Sequence, residues 1–449
     1  MPKKDIAAII LAAGKGTRMK SDLPKVLHQV AGRSMLGHVI QCAHAIGAKR
    51  QIVVIGPDMP DVKAAVQAEN PDAEIAVQYA QMGTADAVNA ARDPLAGFKG
   101  DALVLYADTP LLTQPTLEAM LDARRAGAAV VVLGFRPDDP AEYGRLVMGE
   151  TGDLDAIIEF KECTQAQREI DFCNSGVMAI DGALLFTLLS EVNNDNAKGE
   201  YYLTDIVEIA RRHGHRCAAV AADPDEVLGV NSRVELAQAE AICQDRMRHA
   251  AMINGATLRD PRTTYFSYDT VLGRDVIVGQ HVVFGPGVKV ADGAIIHPFS
   301  HLEGASVGAH ADIGPYGRLR PGAEIGPRAK IGNFVEIKKA RIEEGAKVNH
   351  LSYIGDARVG KAANVGAGTI TCNYDGFNKH FTDIGEGAFI GSNSCLVAPV
   401  KIGDGAYTGS GAVVTEDVSD DALVIVRPQQ VEKPDWAKNF RLKNTSGKN

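Results

Sequence analysis

Apolar and polar positions follow two different rhythms along this chain. Up to about residue 228, short aliphatic runs at Ile6 to Leu11, Gln51 to Ile55, Glu74 to Gln78, Ala102 to Tyr106 and Ala128 to Leu133 are separated by amphipathic stretches such as Thr116 to Arg125. Strands alternating with helices predict an α/β domain on a mostly parallel sheet, with its ligand crevice at the carboxyl ends of the strands. The loops after Leu11 and Tyr106 are therefore where chemistry is expected. Ser232 to Ile253 has no Pro or Gly, is rich in helix formers and follows the cap-competent Asn231-Ser232, which predicts one long connecting helix.

From about residue 271 the rhythm becomes six residues long. Aliphatic side chains recur at Val307, Ile313, Leu319, Ile325, Ile331 and Ile337, with Ala311, Gly317, Ala323, Ala329 and Val335 four residues after the first five. The same spacing holds from Val278 to Leu302, from Ile342 to Ile354 and from Ile384 to Ile402. A helix would repeat at 3.6 and a flat strand at 2, so this period implies three flat faces per turn of a parallel β-helix. The small residue is expected to let the chain turn each corner, and the aliphatic one to fill the prism. Between Val365 and Ile384 the repeat lapses, and residues 366 to 381 are expected to form a loop leaving the prism. After about Val414 it fades into a basic tail from Glu432 that holds Trp436, the single Trp. The expected division is a domain of residues 1–229, a linker helix of 230–252 and a domain of 253–449.

Composition narrows the partners. Lys and Arg number 47 against 56 Asp and Glu, a net charge of -9, which disfavours a nucleic-acid binder or an anionic-membrane binder. The 7 Cys form no C-x-x-C pair, so neither a zinc ribbon nor a disulfide framework is indicated and a reducing cytoplasm fits best. No apolar stretch is long enough to span a bilayer, and no signal peptide is evident. Of the 46 Gly, 26 lie between residues 251 and 411, so the glycines follow the six-residue repeat.

Directly after the first predicted strand, residues 11 to 25 read LAAGKGTRMKSDLPK. Gly14 and Gly16 permit close backbone approach to phosphate oxygens, and Lys15, Arg18 and Lys25 offer compensating charge. Met19 stands where a dinucleotide fingerprint has Gly or Ala, and no G-K-[ST] follows, so neither familiar phosphate loop applies. The pattern L-x-x-G-x-G-T-R-M followed by P-K resembles the sugar-1-phosphate nucleotidyltransferases. That resemblance implies Mg²⁺ held by Asp108, at the end of ALVLYAD, and by Asn231 of G-V-N-S-R, a donor set that suits this hard cation. It implies nucleotide-sugar contacts at Leu11, Ala12, Ala13, Gly14, Lys25, Gln78, Gly83, Thr84, Tyr106, Gly144, Glu159, Asn174 and Asn231. Gln78 and Gln81 to Thr84 fall in its uracil-reading segment; Tyr143 to Arg145, Glu159, Asn174 and GEYYLTD at 199–205 fall in its sugar-binding set. Arg18 and Lys25 would neutralise charge as a sugar 1-phosphate oxygen attacks the α-phosphorus of UTP. Ala107 replaces the family's usual Gly and is expected to add a methyl near the nucleotide.

With the repeat added, the whole chain to about residue 430 resembles the bifunctional N-acetylglucosamine-1-phosphate uridyltransferases/glucosamine-1-phosphate acetyltransferases. RLRPGA (318–323), NFVEIKKAR (333–341), GDARVG (355–360) and NVGAGTITCNYDG (364–376) carry the match. The fold implied is a Rossmann-like nucleotidyltransferase domain followed by a left-handed parallel β-helix. Acetylating an amine needs a base near pH 7, which suits neutral His. Six His lie in this half, and only the resemblance selects His350, with Glu336 as its orienting partner. It places glucosamine 1-phosphate at Arg320, Lys338, Tyr353 and Asn364, with Lys379 beside them. Acetyl-CoA falls at Ala367, the oxyanion donor, and at Asn373, Tyr374, Ser392, Ser410 and Arg427. Ser410 and the spacing of Arg427-Pro428 depart from the family pattern. A homotrimer with sites between subunits is expected. Two other readings stand beside this one: a nucleotidyltransferase whose prism serves only to oligomerise, and a non-catalytic nucleotide-sugar sensor.

Overall fold

A computed structural model describes residues 5–14, 16–196, 198–426 and 428–445. It divides into two compact units, Met1–Met247 and Arg248–Asn449, the division falling inside the helix Arg233–Ile253. That helix begins as its sequence requires. Ser232 Oγ accepts from Val234 N at 3.2 Å while Glu235 Oε2 accepts from Ser232 N at 2.7 Å, satisfying amides that the first turn leaves unpaired.

In the first unit the main path of a nine-stranded sheet is β1 (Ile6–Leu11), β2 (Arg50–Ile55), β3 (Glu74–Val77), β4 (Asp101–Tyr106), β5 (Val130–Phe135), β6 (Cys173–Asp181) and β7 (Cys217–Ala222). Their order across the sheet is β7-β5-β6-β4-β1-β2-β3, parallel except for β6. Both faces are buried. Ile6, Ala8 and Ile10 pack in one core with Leu36, Val62 and Leu117, while Ala7 and Ile9 pack in the other with Val88, Leu185 and Ile206. Strands covered on both sides are apolar without alternation, at about 1.5–3 kcal/mol for each fully buried aliphatic side chain. β6 is absent from the sequence reading because Asn174-Ser175-Gly176 breaks its apolar run. The register against β5 shifts between Asn174 and Met178, Gly176 has φ +90°, and a Cβ there would lie 2.9 Å from the Tyr106 ring. The bulge turns this stretch out of the ladder at the mouth of the crevice.

The second unit is a hexapeptide left-handed β-helix of three parallel walls. The first wall stacks ten strands from Thr257–Leu258 to Leu423–Val424. The second climbs through Val283–Phe284, His301–Leu302, Arg318–Leu319, Ile370–Cys372 and Val413–Val414, and the third through Lys289–Val290, Ala323–Ile325 and Val400–Ile402. Glu336–Ile342 and Tyr353–Val359 run round the corner from second wall to third as unbroken strands. The hexad aliphatics fill the prism: Ile313, Leu319, Ile331 and Ile337 are fully buried.

The corners correct one expectation. The left-handed turn is made by the residue before the small one: His310, Tyr316, Arg328 and Phe334 have φ 56°, 55°, 55° and 55°. Ala311, Ala329 and Val335 are buried at 0%, 0% and 1%, so the small side chain is required by the space inside the corner and not by backbone conformation. A left-handed non-Gly residue costs about 1–2 kcal/mol. At one corner the cost is offset by stacking: His281, Phe299, Tyr316 and Phe334 form a ladder with ring centroids 4.9, 5.0 and 4.8 Å apart. Each such pair contributes about 0.5–1.5 kcal/mol.

The excursion is also shorter than 366–381. Ile370 pairs with Tyr353 in the coil below and with Cys395 in the coil above, so the wall continues to Cys372. Thr371 holds the hexad position, fully buried, its Oγ1 accepting from Gly355 N at 2.8 Å and donating to Gly355 O at 3.1 Å. A hydroxyl satisfied by its own scaffold replaces an aliphatic residue, which hides the repeat from a hydrophobicity pattern. In the tail, helix Trp436–Thr445 is exposed throughout, with Trp436 stacked on Phe440 at 5.1 Å.

Ala329→Leu is expected to overpack the prism and destabilise the second unit by about 1–3 kcal/mol in urea unfolding followed by circular dichroism. Arg328→Gly, one residue earlier, is expected to stay within about 1 kcal/mol of wild type, since relief of the left-handed strain opposes loss of the Glu344 ion pair.

Candidate functional site

Each unit carries one constellation. In the first, β1 ends at Leu11 and the chain turns through Ala12, Ala13 and Gly14 at the carboxyl edge of the sheet. Gly16 has φ +60°, and a Cβ there would lie 2.4 Å from Lys25 Cβ, so glycine lets the loop close onto Lys25. Lys15 lies outside the described residues. Met19, in the place of a fingerprint glycine, is buried at 1% and anchors the loop.

Lys25 brings the distant polar residues together. Its Nζ donates to Asp108 Oδ2 at 2.5 Å and to Asn231 Oδ1 at 3.2 Å, and Arg18 donates to the same Asn231 oxygen at 2.9 Å. Val230 N donates to Asp108 O at 2.9 Å, fixing the G-V-N-S-R segment beside the end of β4. Two oxygen donors facing one cation are chemically suited to a hard divalent metal.

Beside this cluster lies a cleft of about 390 Å³ lined by Ala13, Gly14, Gln78, Gln81, Gly83, Thr84, Tyr106, Glu159 and Asn174 among others. A recess of about 200 Å³ is lined by residues including Leu11, Ala12, Lys25, Tyr106 and Asp108. Gln81 Nε2 donates to Ala13 O at 2.9 Å, and Gln78 Nε2 to Gly83 O at 3.0 Å, which tie the 78–84 segment to the glycine loop and to itself. Thr84 Oγ1 accepts from Leu203 N at 3.0 Å, docking GEYYLTD on the same rim. Gly144 stands at the neighbouring edge, its carbonyl accepting from Asn174 N at 2.8 Å. Burial raises the Glu159 carboxyl above its usual range, partly opposed by Lys198. Lys198 and Gly176 line the cleft without having been read from sequence. Each adjoins a quoted motif, and that adjacency was the available signal.

Two expectations change here. Arg145 is buried at 2% and donates to the carbonyls of Pro140, Ala141 and Tyr143, so it props the 140–144 loop from beneath and does not line the cleft. Ala107 is fully buried in the core cluster that holds Val26 and Leu112 and does not line the cleft, so the extra methyl is not the expected addition beside the ligand.

In the second unit the coil register aligns residues far apart in sequence. Asn333 pairs with His350, and the pairings Lys347 with Asn364, Asn364 with Phe389 and Phe389 with Tyr407 continue the same frame. Asn333, His350, Ala367, Ser392 and Ser410 therefore stand in one column at one corner, one coil apart. The backbone confirms it: carbonyls of Asn333, His350, Ala367 and Ser392 accept from Leu351, Gly368, Asn393 and Gly411 N at 3.1, 3.0, 2.7 and 2.8 Å. Val426 would head the column; Arg427 lies outside the described residues.

Past the same corner, on the second wall, three cations converge. Arg320 donates to Glu336 Oε1 at 2.8 Å, and the ammonium of Lys379, with burial and Arg320, pushes Lys338 below the ordinary lysine range. Lys338 is in register with Gly355, where a Cβ would lie 2.3 Å from the Tyr353 hydroxyl. The missing side chain leaves the phenol lying beside the lysine. Like charges held this close, with only Arg320 paired to a carboxylate among the contacts above, suit an anion. Lys379 reaches them from the excursion, which folds back with Tyr374 bridged to Lys379 and His380 N donating to Asn373 O at 2.8 Å. Asn373 Nδ2 donates to Asp356 Oδ2 at 2.5 Å, clamping the loop to the prism. Glu336 is not the partner of His350: its carboxylate is taken by Arg320, and His350 Nδ1 lies 2.8 Å from Asn333 Oδ1.

Among the described residues all 7 Cys are free and no helix is long and apolar enough to cross a membrane. The family model for MobA-like NTP transferase domains matches residues 8–170, and that for bacterial transferase hexapeptide repeats matches 381–416. The chain is 57% identical over 450 residues to the bifunctional protein GlmU of Paramagnetospirillum magneticum, covering 100% of this chain and 99% of that one. It is 58% identical over 449 residues to that of Xanthobacter autotrophicus, covering 100% of both. To that of Maricaulis maris it is 59% identical over 434 residues, 97% of this chain and 96% of the relative. By this end-to-end similarity the chain belongs to the bifunctional GlmU family.

Proposed function

We propose that this enzyme makes UDP-N-acetylglucosamine by two transfers, each on its own unit. Acetyl-CoA acetylates glucosamine 1-phosphate on the β-helix, and UTP then uridylylates N-acetylglucosamine 1-phosphate on the α/β unit. The observation that carries this reading is the column from Asn333 to Ser410 beside the Arg320, Lys338 and Lys379 cluster. A prism serving only to oligomerise has no need of either. A non-catalytic sensor has no need of Lys25, Asp108 and Asn231 drawn together.

For acetyl transfer, the sugar phosphate lies among Arg320, Lys338, Tyr353 and Lys379, with Asn364 towards the sugar. Acetyl-CoA runs along the column past Ala367, Ser392 and Ser410 towards Arg427, with Asn373 and Tyr374 at its side. His350 takes a proton from the amine as nitrogen attacks the thioester carbonyl, and the Ala367 N–H meets the developing oxyanion. Collapse releases the CoA thiolate, which receives that proton.

For uridylyl transfer, a phosphate oxygen of N-acetylglucosamine 1-phosphate attacks the α-phosphorus of UTP in line and pyrophosphate leaves. The nucleophile is already ionised, so positioning and charge neutralisation by Arg18 and Lys25 suffice. Glu159 and Asn174 serve the sugar hydroxyls and N-acetyl group, and Gln78, Gly83 and Thr84 the uracil. Asp108 and Asn231 would hold Mg²⁺, which supplies further charge on the phosphates. The free cysteines accord with a cytoplasmic location, and the hexapeptide repeat with a homotrimer.

In an assay that follows free thiol and pyrophosphate separately, Asp108→Asn or Lys25→Met is expected to lower pyrophosphate release by about 10²-fold or more and leave thiol release unchanged. His350→Ala is expected to remove thiol release by about 10²–10⁴-fold and leave pyrophosphate release unchanged. Loss of both activities from either change would contradict two independent sites. Chelation of divalent metal is expected to stop pyrophosphate release alone. Equilibrium sedimentation is expected to give three times the 47.7 kDa chain mass; an active monomer would rule out the trimer.

A further inference from the structure

Asn333 opens the segment NFVEIKKAR, yet the chemistry above assigns it nothing. It lies one coil below His350, in direct register, with its Oδ1 2.8 Å from His350 Nδ1. Both stems are fixed: Leu351 N donates to Asn333 O at 3.1 Å, Gly368 N to His350 O at 3.0 Å, and Ser352 Oγ to the same His350 carbonyl at 2.8 Å.

We propose that Asn333 is a positioning residue for acetyl transfer, holding His350 as the tautomer protonated on Nδ1 so that the Nε2 lone pair is free to take the amine proton. This rests on the reading of His350 as the base. An amide oxygen has no proton to give, so a contact of this length requires the hydrogen to sit on Nδ1. Protonation of Nε2 during attack leaves the Nδ1–H to Oδ1 bond unbroken, and the same Nε2 proton then passes to the departing thiolate. Neutrality of the acceptor matters. A carboxylate beside the ring would favour imidazolium and withdraw the base, whereas an amide orients the ring without that bias. The nearby carboxylate that could have done so, Glu336, is engaged by Arg320.

The test uses the full chain with acetyl-CoA and glucosamine 1-phosphate. Asn333→Leu, similar in size and without an acceptor, is expected to lower kcat for thiol release about tenfold or more, with KM for glucosamine 1-phosphate and pyrophosphate release unchanged. Asn333→Asp, which restores an acceptor but adds a charge, is expected to recover kcat only above the wild-type pH optimum, with its pH profile shifted upward. In the unaltered protein, imidazole ¹⁵N resonances of His350, assigned by their absence in His350→Gln, are expected to report the Nδ1–H tautomer. Wild-type kcat in Asn333→Leu, no recovery in Asn333→Asp at any pH, or an Nε2–H ring in the spectrum would each overturn the proposal. Thiol release that survives in His350→Ala would instead overturn the reading of the base. The spectrum of the unaltered protein decides the matter even if Asn333→Leu fails to fold.

Discussion

A left-handed residue followed by a buried small one, repeated up the corners of the prism, is the constraint on which the second unit rests. Each corner makes the chain fold back over itself with nearly the same number of residues, so position in one coil fixes position in the next. The hydrogen bonds that close the corner, such as Gly368 N to His350 O and Asn393 N to Ala367 O, are the same bonds that hold the column of candidate site residues in line. Packing is unforgiving because Ala311 and Ala329 are fully enclosed. An added methylene there displaces whole coils, and with them any ligand that spans several. The aromatic ladder from His281 to Phe334 runs up the corner where the column from Asn333 to Ser410 begins, so the strain of the turns is offset along that corner.

The first unit solves the same problem by another means. A parallel sheet places strand ends on one edge, and the loops leaving β1 and β4 deliver Gly14, Lys25 and Asp108 to that edge. What completes the site is irregularity: the bulge at Asn174 to Gly176, and the return of the chain at Asn231. Lys25 shows the logic of the charges. Its ammonium sits against Asp108 Oδ2 and Asn231 Oδ1, a cation matched to two oxygen donors delivered by distant segments.

Much of the architecture was legible because it rests on periodic burial. Doubly covered strands read as continuous apolar runs, and β1 appears in the structure with its expected ends, Ile6 and Leu11. The six-residue repeat gave the three walls. Legibility failed where polarity or small size replaced an aliphatic side chain without changing the fold. Thr371 is part of a wall yet reads as loop, Asn174 and Gly176 hide β6, and the Ala-rich Cys217–Ala222 carries little strand signal.

The sequence by itself determined the fold of each unit, the phosphate loop and the family, because each depends on local spacing or on long unbroken motifs. It could not decide which side chains meet. Arg145 sits in a segment that the resemblance assigns to sugar binding, yet it turns inward to hold three carbonyls, since a guanidinium goes where acceptors are clustered. The resemblance pairs Glu336 with His350, but Arg320 claims it and the neutral Asn333 takes its place. Such choices are made by competition among donors and acceptors brought together only when the coils stack, and no spacing along the chain records the outcome.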